Sequence, residues 1–251
     1  MSATDEPRPL PVLYRDDRFV AVDKPPGLLV HRSPLARGET EFAVQRLRDQ
    51  LGQRVYPVHR LDRPTSGVLV FALDPEAASA LAERFAAREV TKRYLAVVRG
   101  WLHGHLIVDH PLRALGDEPS RAEPLAAETE FDGLATARVP EPVGPYPERR
   151  YGLVLARPRT GRRHQIRRHL KHLGHPIIGD VRHGKGAHNR FFRERLDVSR
   201  LLLAAISLGF DHPFTRARVT IEAPPGLEFS RVLTAFGWRA PAAELLPRDP
   251  A

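Results

Sequence analysis

Val68 to Leu73, VLVFAL, is apolar at every position, so the strand it predicts is buried on both faces and central to its sheet. The flanks of this strand are charged. Upstream, the turn-forming run His59-Arg60-Leu61-Asp62-Arg63-Pro64-Thr65-Ser66-Gly67 sets one carboxylate between two arginines and leads straight into the strand. Downstream, Asp74-Pro75-Glu76 has the pattern of a helix start, with Asp as N-cap, Pro at the first position and Glu near the positive end of the helix dipole. Ala77, Leu81 and Phe85 continue it as an apolar stripe. Asp62 thus belongs to a loop held at the end of a central strand. Such a loop is either a surface ion-pair cluster or a means of presenting an ionised carboxylate to a polyanion.

The remaining pattern is mostly of strands. Val12 to Tyr14 and Phe19 to Val22 read as two short strands joined by a turn at Asp16-Asp17, and Lys24-Pro25-Pro26-Gly27 then breaks the chain. Glu41 to Gln50 reads as a helix. Lys92 to Val98, Leu106 to Val108, Thr129 to Val139, Gly152 to Ala156, Leu201 to Phe210 and Arg218 to Glu222 read as strands, and Leu227 to Phe236 as a closing helix. Strands in adjacent runs with few helices between them predict an α+β fold, with a mixed, mostly antiparallel sheet and flanking helices. The loops at 116–124 and 140–147 are too short to divide it. One domain over 12–239 is expected, with flexible ends at 1–11 and 240–251.

The chain of 251 residues has 39 Lys+Arg against 30 Asp+Glu, and only four of the 39 are lysine. An arginine excess suits nucleic acid, because the guanidinium pairs with phosphate and stacks on bases. The charge is concentrated: Arg149 to Arg200 holds 15 basic and 3 acidic residues, a net of 15 − 3 = +12. Either a phosphate-binding surface or a solvated basic face would account for it. With no cysteine, disulfides, thiolate nucleophiles and Cys-based zinc sites are excluded. His164, His169, His172 and His175 lie close in sequence, but arginines surround them and no carboxylate falls within the run, so no metal is expected. No phosphate-binding glycine loop of nucleotide-cofactor type occurs. No segment approaches the ~20 apolar residues of a membrane span, and a soluble cytoplasmic protein is expected.

Two more segments carry chemistry. In Thr91 to Gly100, alternation puts Lys92, Tyr94, Ala96 and Val98 on one face. Tyr94 there is either a base-stacking platform or an ordinary core tyrosine. Thr160 to Leu173, ending at Gly174, reads as a helix with Ile166, Leu170 and Leu173 inward and Arg163, Arg167 and Lys171 as a basic stripe, with Arg167 at the rim of the core face.

Asp62 and its neighbours resemble the H-R-L-D-x-x-T-S-G motif of the pseudouridine synthases related to ribosomal large-subunit pseudouridine synthase A. Lys92 to Gly100 resembles that family's K-x-Y-x-A-x-V-x-G strand. Thr160 to His169 resembles its T-G-R-x-H-Q-[IL]-R-x-H segment, and Lys24 to His31 its opening K-P-x-G-x-x-V-H. The four segments occur in the family's order, and the resemblance covers about Val12 to Trp238. It implies a pseudouridine synthase catalytic domain with a central RNA-binding cleft and no cofactor. It makes Asp62 the catalytic residue, paired with Arg167, with Tyr94 stacking on the target base and Ile166 packing against it. Arg60 would fill the gap left by a flipped uridine, and Arg63, Lys92, Arg163 and Lys171 would hold RNA. Whether Asp62 attacks the sugar or base, or instead deprotonates C2′, is left open by the residues. Arg99-Gly100-Trp101-Leu102, His175 to Asp180 and Phe236 to Arg239 resemble the family members that act on uridine 65 of tRNA. A tRNA partner and a monomer are therefore expected. The same reaction on ribosomal RNA, and a non-catalytic RNA-binding protein of this fold, are the alternatives.

Overall fold

In the computed structural model, residues 8–32, 38, 40–115 and 123–239 are described. The predicted central strand is β4 (Ser66–Ala72), and every one of its residues is buried. From Gly67 to Ala72 it pairs antiparallel with β2 (Phe19–Lys24), which in turn pairs with β1 (Val12–Arg15). Asp16 makes the intervening turn by accepting the N–H groups of Arg18 (2.7 Å) and Phe19 (2.6 Å). The second half of the sheet is antiparallel throughout. There β9 (Leu203–Asp211), β5 (Thr91–Arg99), β8 (Arg149–Pro158), β7 (Glu128–Val139) and β6 (His105–Asp109) follow in that spatial order, with β10 (Arg218–Glu222) on the other edge of β9. The α+β fold with a mostly antiparallel sheet is borne out.

The strands of the two halves pair at a single parallel contact, where Ser66 and Gly67 of β4 face Ala204 and Ala205 of β9, while Phe19 packs on Phe210 across the divide. Gly67 sits there at φ 107°, and a Cβ on it would lie 2.1 Å from the Ala205 carbonyl oxygen, so only glycine lets the strands approach. Beyond this seam the strands diverge. The two-residue strand β3 (Tyr56–Pro57), which the sequence pattern did not indicate, takes the free edge of β4 at Phe71 and Ala72.

Helices cover both faces. In the first half, Val20, Val22, Leu69 and Phe71 pack with α1 (Ala43–Leu51), and Phe19, Ala21, Val68 and Val70 pack on the other face with α2 (Pro75–Ala86). Asp74 caps α2 as expected, accepting the Ala77 N–H at 2.8 Å. In the second half, Ala96, Val98, Val154 and Ala156 pack under α3 (Gln165–His172). Leu95, Val97, Leu153 and Leu155 face α4 (Gly186–Leu196) and α5 (Leu227–Ala235). Helix α4 was not expected: Gly186-Ala187-His188-Asn189 starts it without a capping side chain, and its adjacent Phe191 and Phe192 break a clean stripe. Burial of those two rings and His188 holds the helix in place.

Helix α3 begins five residues later than expected. Thr160 to His164 is a turn, in which the Gln165 side-chain oxygen accepts the Thr160 hydroxyl (2.7 Å) and the Arg162 N–H (2.9 Å). His164 closes it in the left-handed region at φ 56°. The basic stripe therefore does not form: Arg163 precedes the helix, Arg167 is buried, and Lys171 alone of the three is an exposed helical residue. The helix does end at Gly174, φ 78°, where the N–H groups of Gly174 and His175 bond the carbonyls of Lys171 and Leu170.

Of the expected flexible ends, 1–7 and 240–251 lie outside the described residues, as does most of the 116–124 loop. Leu10 is buried and exchanges two hydrogen bonds with the Gln50 side chain (2.7 and 3.0 Å).

Candidate active site

The loop from His59 to Thr65 leaves the sheet where β4 and β9 diverge. His59 lies half-buried in that wedge, stacked on Phe85, and its Nε2 accepts the N–H of Val70 at 3.0 Å, which the splayed sheet leaves without a strand partner. Burial, with the charge of Lys92 adding to it, pushes the imidazole down to about 3, so it stays neutral and keeps this acceptor. The loop closes on itself through Thr65 N–H to Asp62 C=O at 3.0 Å. Underneath lies the Lys24-Pro25-Pro26-Gly27 turn. Gly27 N–H donates to the Arg63 carbonyl (2.9 Å), Arg63 Nε donates back to the Gly27 carbonyl (3.0 Å), and fully buried Lys24 donates from Nζ to the carbonyls of Pro25, Leu28 and Arg63. Burial, and then the charge of Arg200, lower Lys24 to about 7 against the opposing pull of Asp62 and Asp23.

Asp62 faces a cleft of about 660 Å³. Arg60, Lys92, Tyr94, Arg163, Ile166 and Arg167 line the same cleft, drawn from the loop, from β5 and from the turn and helix after β8. Arg63, turned toward Gly27, and Lys171, on the outer side of α3, are not among its lining residues. Arg88, Arg159 and Arg162 add to its basic rim.

Arg167 Nη1 donates to Asp62 Oδ2 at 3.0 Å across 105 residues of chain. The Asp62 side chain is 19 % exposed and that of Arg167 5 %. Burial lowers the guanidinium pKa, but hydrogen bonds and charge from Asp180, then from Asp62, outweigh it and raise it, so the cation is permanent. Tyr94 is deeply set beside this pair. Burial, reinforced by the charge of Asp62, pushes its hydroxyl well above the usual tyrosine range, so it stays protonated. Lys92, next along the same face, is lowered to about 8 by burial and by the charge of Arg159. His164 is lowered to about 4, chiefly by burial, and bonds His183 at 3.0 Å. The arrangement is a carboxylate paired with a buried guanidinium at the edge of a cationic cleft, with an apolar and aromatic floor of Ile166 and Tyr94. It suits a nucleoside carried in on a phosphate backbone.

The sequence profile of RNA pseudouridylate synthases matches residues 18–172. The chain belongs to this family. It is a pseudouridine synthase, an enzyme that converts uridine to pseudouridine. The similar proteins agree. The chain is 47 % identical over 235 residues to tRNA pseudouridine synthase C of Vibrio vulnificus, an overlap covering 91 % of this chain and 96 % of the relative. It is 48 % identical over 236 residues to the protein of that name from Salmonella typhi, covering 92 % and 91 %. Among solved structures, human RNA pseudouridylate synthase domain containing 1 superposes with a TM-score of 0.67 at 27 % identity, over 86 % of this chain and 83 % of that one. Human RNA pseudouridylate synthase domain containing 4 shares the fold, with a TM-score of 0.68 at 23 % identity over 92 % and 95 %.

Sequence reasoning brought Asp62, Arg167 and Tyr94 of this pseudouridine synthase together but gave no role to Asp180 or to His164. For Asp180 a signal existed: it is one of only three acids in the basic window from Arg149 to Arg200. Among the described residues no cluster of His, Asp and Glu is arranged to hold a metal, and no helix is long and apolar enough to cross a membrane.

Proposed function

We propose that this pseudouridine synthase acts on tRNA at uridine 65, in the acceptor and T-stem region, and that Asp62 performs the chemistry. The Asp62–Arg167 ion pair, 3.0 Å long at the edge of the cleft, carries this reading. Isomerisation breaks the N1–C1′ bond, turns the uracil, and joins C5 to C1′. It consumes no reductant and no energy source. It needs a carboxylate held beside C1′ and C2′ under a base that excludes water. Arg167 holds the Asp62 carboxylate in place beneath the covering base through its 3.0 Å hydrogen bond. The protonated Tyr94 ring stacks on the captured uracil, and Ile166 packs against it. Arg60, exposed at the mouth, takes the vacated place in the RNA stack. Lys92 and Arg163 meet phosphates at the rim. Arg63 and Lys171 contact RNA outside the cleft. The names of the similar bacterial proteins favour tRNA over ribosomal RNA as the target. On this reading the enzyme works as a monomer in the cytoplasm.

Two measurements test it. Purified Asp62→Asn and Asp62→Ala bind tRNA and form no pseudouridine; turnover by either refutes the role of Asp62. Pseudouridine mapping in a deletion strain shows loss at position 65 of tRNA. Loss confined to ribosomal RNA refutes the target, and no loss anywhere refutes both.

A further inference from the structure

Arg167 spends only one of its three donor groups on Asp62. Its Nε donates to Asp180 Oδ2 at 2.7 Å and its Nη2 to Asp180 Oδ1 at 2.9 Å, a two-point grip on one edge of the guanidinium. The side chain of Asp180 is 0 % exposed. It is itself fixed, because Oδ1 also accepts the N–H groups of Arg182 and His183, both at 2.9 Å. Its carbonyl accepts from Gly184 N–H (3.0 Å) and Asn189 Nδ2 (3.2 Å). A guanidinium is planar and rigid, so holding two nitrogens determines where the third points. The third is the Nη1 that meets Asp62.

We propose that Asp180 is a positioning residue for the isomerisation, fixing Arg167 so that one N–H group, and no more, is offered to Asp62. The grip has an electrostatic consequence as well. Asp62, Arg167 and Asp180 together carry one net negative charge. Asp180 already neutralises much of the guanidinium, so Asp62 is steadied without losing its charge to a dedicated partner. The inference rests on the reading of Asp62 as the reacting carboxylate.

Asp180→Asn separates the two duties of this side chain. Its amide oxygen still serves the N–H groups of Arg182 and His183, whereas its NH2 confronts Arg167 Nε, donor against donor. The turn survives and the grip is lost. The expected result is a drop in kcat of about 10²-fold, with KM for tRNA unchanged. In an Arg167→Met background the same substitution lowers kcat no further, since Asp180 acts only through Arg167. Unaltered kcat in Asp180→Asn, or an equal loss in both backgrounds, overturns the proposal. A second measurement leaves Asp180 in place and does not depend on how that variant folds. In Asp62→Asn, the Arg167 Nε–H observed by NMR remains protected from solvent exchange; release of that proton shows that Asp62 does the holding and overturns the proposal. Turnover by Asp62→Asn would refute the reading of Asp62 and this inference together. An inert Asp62→Asn beside a fully active Asp180→Asn would refute this inference alone.

Discussion

Replacing Arg167 by methionine should be the most costly single change at this site, and its cost should depend on pH. The side chain is 5 % exposed and pairs with two carboxylates, Asp62 at 19 % and Asp180 at 0 %. Removing it leaves Asp180 buried and unpaired. Breaking a buried pair in this way costs about 3–5 kcal/mol. The value belongs at the upper end, because three charge-assisted hydrogen bonds are lost together. With a urea m-value of ~3 kcal/mol per M, the midpoint falls by about 1–1.7 M at pH 7.5. The pH dependence follows from Asp180. Burial alone would raise its carboxyl, but hydrogen bonds and charge from Arg167, with the N–H groups of His183 and Arg182, hold it below the usual range. In the native protein, Asp180 therefore adds stability above the unfolded carboxylate pKa of about 3.9, and loses it only as pH falls through its lower folded value. Without Arg167, burial dominates and the folded value rises above the unfolded one. The variant then regains stability as the pH falls and Asp180 takes up a proton. Urea unfolding of both proteins at pH 7.5 and pH 5.5 should show the gap narrowing at the lower pH. A loss under ~1 kcal/mol at pH 7.5, or a gap that widens on acidification, refutes the assignment of Arg167 as the cation of a buried triad.

Other expectations are simpler to test. Lys92 titrates at about 8, so tRNA affinity should fall as pH rises from 8 to 9 and its ammonium loses the proton. Lys92→Met should bind weakly at every pH in that range, with the salt dependence reduced by about one ion, as measured by filter binding. A pH dependence that persists in Lys92→Met assigns it elsewhere. Gly67→Ala should lose about 3 kcal/mol or more, because the new Cβ meets the Ala205 carbonyl and the backbone is at φ 107°; a melting temperature within a degree of the native one contradicts this.

The sequence was most informative where a single physical constraint dominates. The all-apolar run after Gly67 could only be a covered strand, and Asp74-Pro75 could hardly be anything but a helix start. Asp62 and Tyr94 were legible because their segments resemble known motifs. Periodicity misled where a tertiary contact overrides it. Three basic residues at helical spacing suggested a stripe on α3, yet Gln165 folds its own side chain back onto Thr160 and Arg162 and delays the helix. Arg167 then points inward because Asp180, 13 residues further along the chain, is there to receive it, and helical periodicity carries no trace of that pairing. Helix α4 escaped notice for a similar reason, as burial of Phe191 and Phe192 in the core outweighs a poorly patterned sequence.

Asp62 hangs from β4 in one half of the sheet, and Arg167 follows β8 in the other. Only the short parallel contact of Ser66 and Gly67 with Ala204 and Ala205 joins β4 to β9 between them. Elsewhere the halves are braced against each other by packing, Phe19 on Phe210 and Asp16 on His212. The ion pair therefore closes the open end of a wedge whose other end is fixed, and the aim of the carboxylate is set by the whole sheet rather than by its own loop.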